Sequence, residues 1–249
     1  MKTVMITGCS TGFGLATAHF FLEKGWNVIA TMRTPDPSRL PQSSHLTLLP
    51  LDVTNSESIE SAVKAAGEID VLINNAGIGF MSPYESTSPQ MVRNLFETNT
   101  FGTFEMIRAV LPQMRKRRSG TIINLSSSTT LKPLSLMGAY TASKAAVTAY
   151  TECLELELAP LGIRTRLVVP GMSPTTSFGD NAREQIASAG KPPSEYDAIV
   201  NGVLESFQKE VSQQTLTTPE DVVNAIWLAV TDPNSPVVIP AGADAVALS

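Results

Sequence analysis

"TVMITGCSTGFG" occupies residues 3–14 and joins two kinds of pattern. The first half is a short apolar run with strand character. The second half is a glycine-rich turn, with Gly8, Gly12 and Gly14, that opens a helical pattern over 12–24. Glycine accepts positive φ and lets a charged group approach the backbone, while a helix N-terminus offers free N–H groups to an anion. Strand, turn and helix in this order form the phosphate-binding start of a dinucleotide fold. The glycine spacing is not the common G-x-G-x-x-G, so position carries the reading. Gly8, Ser10, Thr11, Gly12, Phe13 and Gly14 are expected to line a pyrophosphate.

The alternation continues along the chain. Apolar runs at 27–32, 46–51, 70–74, 120–126, 163–169 and 236–239 read as strands. Helical patterns at 55–66, 89–117, 139–159 and 219–231 lie between most of them. Continuous apolar strands separated by helices indicate a parallel sheet covered on both faces. Right-handed crossovers then give an α/β fold: a single doubly wound, Rossmann-type sheet of about seven strands with helices on both faces. Neither a repeat nor a linker interrupts residues 1–249, which are expected to form one domain. The stretch 172–217 starts rich in Ser, Thr, Gly and Pro and turns irregularly amphipathic. Following a strand's carboxyl end, it is expected to be a substrate lid, with Phe178, Tyr196, Val200 and Phe207 to bury.

Composition narrows the function. With 43% hydrophobic and 16% charged residues and a net charge of −5, nothing supports nucleic acid as the main partner. "RKRR" at 115–118 reads as a phosphate-binding patch or as the solvated last turn of a helix, where cations suit the dipole. Two cysteines, Cys9 and Cys153, make no disulfide framework and fit a reduced, cytoplasmic setting. His19 and His45 lie near no cysteine cluster, so no metal site is expected. The N-terminus enters a strand at once, leaving no room for a signal peptide, and no run of 18 apolar residues suggests a membrane span.

Two stretches carry chemistry. After the second strand, an acid about 20 residues beyond the glycines would hold the ribose of NAD. Met32 and Arg33 stand there instead, and arginine matches a 2′-phosphate in charge and bidentate geometry. NADP(H) is therefore the expected cofactor, with Ser10 beside the phosphate. In "AYTASKAA" (139–146), Tyr140 and Lys144 are one helical turn apart on one face. A tyrosine ordinarily titrates near pH ~10, and a neighbouring ammonium is expected to draw it towards neutral.

"TGCSTGFG" (7–14), "NNAG" (74–77), "TNTFG" (98–102), "NLSSS" (124–128), "YTASK" (140–144) and "PGMSPT" (170–175) stand in the order and spacing of short-chain dehydrogenases/reductases. The chain resembles that family over nearly its whole length. "GCSTGFG", "VIATMR" and "LDVTNSESI" look most like its hydroxysteroid and retinol dehydrogenase branch and related bacterial carbonyl reductases. The resemblance implies that Tyr140 is the proton donor, Lys144 its partner and Ser127, thirteen residues before the tyrosine, the hydroxyl that binds the substrate oxygen. It implies that Asn99 holds a water in a proton relay. It also implies cofactor contacts at Asp52, Val53, Asn75, Ala76, Gly77, Pro170, Gly171 and Thr175, with Thr176 as a neighbouring choice for the last. "TNTFGT" adds its own signal: poor helix formers in mid-helix suggest a weakened turn with a freed carbonyl, or close packing at Gly102.

The expected function is an NADPH-dependent carbonyl reductase, or in reverse an alcohol dehydrogenase, acting on a hydrophobic ketone. Met137, Met172 and Phe178 would give an apolar pocket. Within the same chemistry, a steroid or retinol dehydrogenase and an oxoacyl-thioester reductase are alternatives. A non-catalytic NADP(H) sensor is the alternative of another class, but it would be expected to lose Ser127, Tyr140 or Lys144. The resemblance also implies a homo-oligomer, dimer or tetramer, formed through the helices at 89–117 and 139–159.

Overall fold

The structure, a computed structural model, describes residues 1–174, 192–212 and 216–249. Seven parallel strands form one sheet: β1 (Thr3–Ile6), β2 (Asn27–Met32), β3 (Leu46–Pro50), β4 (Val71–Asn74), β5 (Gly120–Leu125), β6 (Ile163–Pro170) and β7 (Val238–Ala241). Their order is β3-β2-β1-β4-β5-β6-β7, so the chain winds outward from β1 to one edge and then from β4 to the other. The expected doubly wound sheet is thus present, and its order reverses between β1 and β4, where such folds bind ligands.

Both faces are covered because successive strand residues point to opposite sides. Val4, Ile6, Val71, Ile73 and Ile123 pack on one core with Phe21 of α1 (Gly12–Glu23) and with Val222 and Ile226 of a helix over Pro219–Thr231. Met5, Leu72 and Ile122 enter a second core with Ile59 of α2 (Ser56–Ala66), Ile107 of a helix over Gly102–Arg117 and Leu154 of one over Gly138–Leu158.

The segment 89–117 is not the single helix expected. It forms α3 (Pro89–Phe96), a π-helical turn at Glu97–Phe101 and α4 (Gly102–Arg117). Close packing accompanies the break: a Cβ on Gly102 would sit 2.9 Å from Val53 Cγ2 and 3.0 Å from Val53 O. The long α5 (Gly138–Leu158) carries Tyr140 and Lys144. Beyond β6 come α6 (Asp197–Ser212), α7 (Pro219–Thr231) and the single turn α8 (Ala243–Val246). β7 lies two residues later than expected because it runs through Pro240, which an edge strand tolerates.

"RKRR" is not simply a solvated helix end. Arg117 Nη2 donates to Ile69 O at 2.6 Å, and Arg118 Nη2 donates to Pro160 O at 2.8 Å. These arginines tie loops at the amino edge of the sheet.

At the first turn, Gly14 is buried, and a Cβ there would collide with Gly8 O and come within 2.5 Å of Asn75 Nδ2. Gly14→Ala would gain helix propensity yet overpack a backbone junction. A net loss of about 1–3 kcal/mol is expected, read from the urea midpoint.

Candidate active site

The site lies along the carboxyl edge of the sheet, in a cavity of about 1860 Å³ reaching from the first turn past Tyr140 to α6. A typical small-molecule pocket is about 300–1,000 Å³. There is room for a dinucleotide and a second molecule.

Gly8, Ser10, Thr11, Gly12 and Phe13 line one end. Gly8 has φ +75° and Gly12 φ +59°, so the turn depends on glycine at both positions. The first turn of α1 holds no acid, and Thr11 makes no side-chain cap, so its N–H groups stay available to an anion. The residues present thus fit a pyrophosphate. Gly14 does not line the cavity; its missing side chain serves the helix–strand packing described above.

Thr7 joins this turn to the next segment, and its place before Gly8 is the one sign of it in the sequence. Its Oγ1 accepts from Asn75 N (3.0 Å) and Ala76 N (2.9 Å), while Asn75 Nδ2 donates to Thr7 O (2.8 Å) and Gly8 O (3.1 Å). Asn75, Ala76 and Gly77 line the cavity as a result. Arg33 follows β2, exposed and at the rim, with Asp52 and Val53 beside it. Hydrogen bonds from Thr54 chiefly hold the Asp52 carboxyl below its ordinary value, and Arg33 contributes by charge.

At the centre, Ser127 and Tyr140 both line the cavity, and hydrogen bonding from Ser127 acts to lower the tyrosine's titration against the effect of burial. Ser127 follows β5 and caps a 3₁₀ turn at Ser128–Thr130. Its Oγ accepts from Thr129 N (3.3 Å) and Thr129 Oγ1 (3.2 Å), which leaves its own proton to be donated elsewhere. Ser126 points elsewhere, to Thr148 Oγ1 at 2.8 Å. Of the three serines, Ser127 is the one brought to Tyr140.

Lys144 lies one turn along α5, 5% exposed, and its Nζ donates to Leu125 O at 3.0 Å. The expectation that Lys144 lowers the tyrosine is not met. Burial pushes Tyr140 up to about 12, opposed by the hydrogen bond with Ser127, and burial pushes Lys144 down to about 8. Desolvation disfavours both charged forms and is the largest cause of each shift.

Asn99 is fully buried in the π turn and does not line the cavity. Its Oδ1 accepts from Ile78 N (2.8 Å), and its Nδ2 donates to Ile78 O and to Ser143 Oγ, both at 3.0 Å. Ser143 Oγ in turn donates to Tyr140 O at 2.7 Å. Asn99 therefore clamps the backbone next to Gly77 onto the tyrosine's own helix. Its carbonyl, expected to be free, accepts from Thr103 Oγ1 at 2.9 Å.

Pro170 and Gly171 line the cavity where the chain leaves β6, and Asp244 of α8 lies against them. Thr175 and Thr176 lie outside the described residues, as do Phe178 and the middle of the expected lid. Of the remaining lid residues, Met172, Val200, Leu204 and Phe207 line the cavity's apolar end with Met81 and Met137. Among the described residues no group of His, Cys, Asp and Glu could hold a metal, and no helix is long and apolar enough to cross a membrane.

A parallel sheet with a glycine turn at its switch point and a Ser–Tyr–Lys cluster at its carboxyl edge defines a nucleotide-dependent oxidoreductase. Residues 2–186 match the family model for short chain dehydrogenases, and the chain belongs to that family. It is 42% identical over 184 residues to a 3-ketodihydrosphingosine reductase of Bacteroides thetaiotaomicron, the match covering 72% of this chain and 66% of that one. It is 34% identical over 241 residues to retinol dehydrogenase 8 of Bos taurus, covering 90% and 76%. A short-chain dehydrogenase from Streptomyces avermitilis has the same fold, with a TM-score of 0.83, 31% identity and coverage of 99% and 90%. Some similar structures are complexes with NADP or NADPH, and others with NAD or NADH.

Proposed function

We propose that this chain is an NADP(H)-dependent carbonyl reductase, working in reverse as an alcohol dehydrogenase, on a hydrophobic ketone or keto ester. The observation that carries the reading is the gathering of Ser127, Tyr140 and Lys144 in the cavity that the glycine turn also lines. Gly8, Ser10, Thr11, Gly12 and Phe13 would hold the pyrophosphate, Arg33 and Ser10 the 2′-phosphate, Asp52 and Val53 the adenine, and Asn75 to Gly77, Lys144, Pro170 and Gly171 the nicotinamide half. When bound, the reduced cofactor supplies a hydride to the carbonyl carbon.

The protein's own residues do the rest. Ser127 donates a hydrogen bond to the carbonyl oxygen as negative charge develops on it. Tyr140 gives that oxygen its proton, which completes the alcohol. A phenol held well above its ordinary value stays protonated across neutral pH, as a donor must be. Lys144 holds the cofactor-side geometry and, as an ammonium, stabilises the phenolate left behind. Asn99 positions the tyrosine's helix through Ser143.

The apolar end of the cavity supports a hydrophobic substrate. The likeness to retinol dehydrogenase 8 favours a second reading, a steroid or retinol dehydrogenase with the same machinery. A homo-oligomer, dimer or tetramer, belongs to the proposal and is supported by apolar surface on the helices concerned. Leu156 is 80% exposed and Phe101 49%.

The experiment is NADPH oxidation with a panel of aliphatic ketones, β-keto esters, steroids and retinal. Turnover of at least one class supports the reading, and binding of NADPH without any turnover supports the sensor instead. Arg33→Asp tests the cofactor assignment. The NADPH-to-NADH ratio of kcat/KM is expected to fall by about 10²-fold, through loss of a charge-assisted contact and gain of repulsion. An unmoved ratio would remove Arg33 from the site.

A further inference from the structure

Three stretches remote in sequence meet where the chain leaves β6. Gly171 N donates to Ala241 O at 3.1 Å and to Thr217 Oγ1 at 3.0 Å. Met172 N donates to Asp244 Oδ2 at 2.7 Å. The Thr217 hydroxyl, on a residue only 2% exposed, reaches Asp244 Oδ1 at 2.6 Å and Ala241 O at 2.9 Å. It has one proton to give and two acceptors to choose between. The backbone is shaped around these side chains. A Cβ on Gly171 would collide with both Asp244 carboxylate oxygens, and one on Gly242, at φ +95°, would collide with Thr217 Oγ1.

Packing alone does not call for a carboxylate here. Asp244 lines the same cavity as Tyr140 and Lys144, and it makes a charge-assisted bond to a backbone N–H in a loop that lines it too. Loops at the carboxyl ends of strands carry ligands in this fold, and an error of about 1 Å in ligand placement costs on the order of 10²-fold in rate.

We infer that Asp244, with Thr217, is a positioning residue: a latch that holds Gly171–Met172 against the C-terminal segment and so fixes one wall of the cofactor cleft. The inference rests on the reading of that cleft as an NADP(H) site. Asp244 touches neither hydride nor proton. It acts through the main chain of residues 171 and 172.

The test uses the full chain with three readouts: NADPH binding by fluorescence titration, amide hydrogen exchange at Met172, and kcat and KM. Asp244→Ala is expected to weaken NADPH binding about tenfold and to lose most protection at Met172. It should also lower kcat/KM by about 10²-fold, with the unfolding midpoint little changed. Asp244→Asn can still accept from Met172 N and should recover much of the binding. Thr217→Val, nearly isosteric, should weaken binding in the same direction to a smaller degree, and Thr217→Ser should restore it. Thr217→Val carries the test if Asp244→Ala does not fold. Folded variants with wild-type NADPH affinity and Met172 protection would overturn the latch. Failure of the wild-type protein to bind NADPH would instead overturn the reading beneath it.

Discussion

Tyr140→Phe is expected to lower kcat for ketone reduction by about 10³-fold while NADPH affinity changes no more than about twofold. A positioned general acid contributes roughly 10²–10⁴-fold, and phenylalanine removes the acid while keeping the ring. The ring itself packs with Phe80 and Leu95 in a small core of its own, so the fold should survive. Ser127 keeps its hydrogen bonds from Thr129 and loses only its bond to the phenol. The check is steady-state NADPH oxidation beside a fluorescence titration. Parallel loss of rate and binding would mean that the substitution damaged the site rather than the proton donor.

Lys144→Met is expected to cost about 10²-fold or more in kcat and, unusually for an active-site change, to raise stability. Burial moves Lys144 from 10.5 down to about 8, so holding its ammonium at neutral pH costs on the order of 3 kcal/mol. Its hydrogen bond to Leu125 O offsets part of that, and methionine of similar length removes the cost. A gain of about 1–2 kcal/mol at pH 7 is expected from urea unfolding, the trade between stability and activity common at functional sites.

The sign follows from linkage. The unfolded chain binds this proton more tightly than the folded one. The penalty is therefore full below pH 8 and fades as pH rises through the window between 8 and 10.5. Wild-type stability should rise across that window through this group, and Lys144→Met should lose the rise. If the ammonium supports proton delivery, the reduction rate should be level below about pH 8 and decline above it, and the variant should lose that decline.

The sheet was legible because a parallel strand buried on both faces reads as an unbroken apolar run, as "VLIN" and "TIINL" do. Tyr140 and Lys144 were legible because one helical turn fixes their relation. Where long-range packing decides, the sequence is silent. Thr129 donates to Ser127, Ser143 links Asn99 to the tyrosine's helix, and Asp244 meets Met172 across 72 positions. No local pattern encodes such pairs. The π turn is intermediate: "TNTF" showed that the helix was weak there, and only its packing on Val53 and Ser143 shows the form taken. The direction of the Tyr140 shift is illegible in the sequence for a related reason. Nearest-neighbour charge is visible in sequence, whereas the degree of burial that outweighs it is not.

A single-turnover comparison tests Tyr140 as proton donor: wild-type protein and Tyr140→Phe, each saturated with NADPH, mixed with a hydrophobic ketone that the wild type turns over. The expected result is rapid loss of reduced-nicotinamide absorbance in the wild type and a rate lower by about 10³-fold in the variant, with equal NADPH bound. Equal rates in the two proteins would contradict the assignment of Tyr140 as the proton donor.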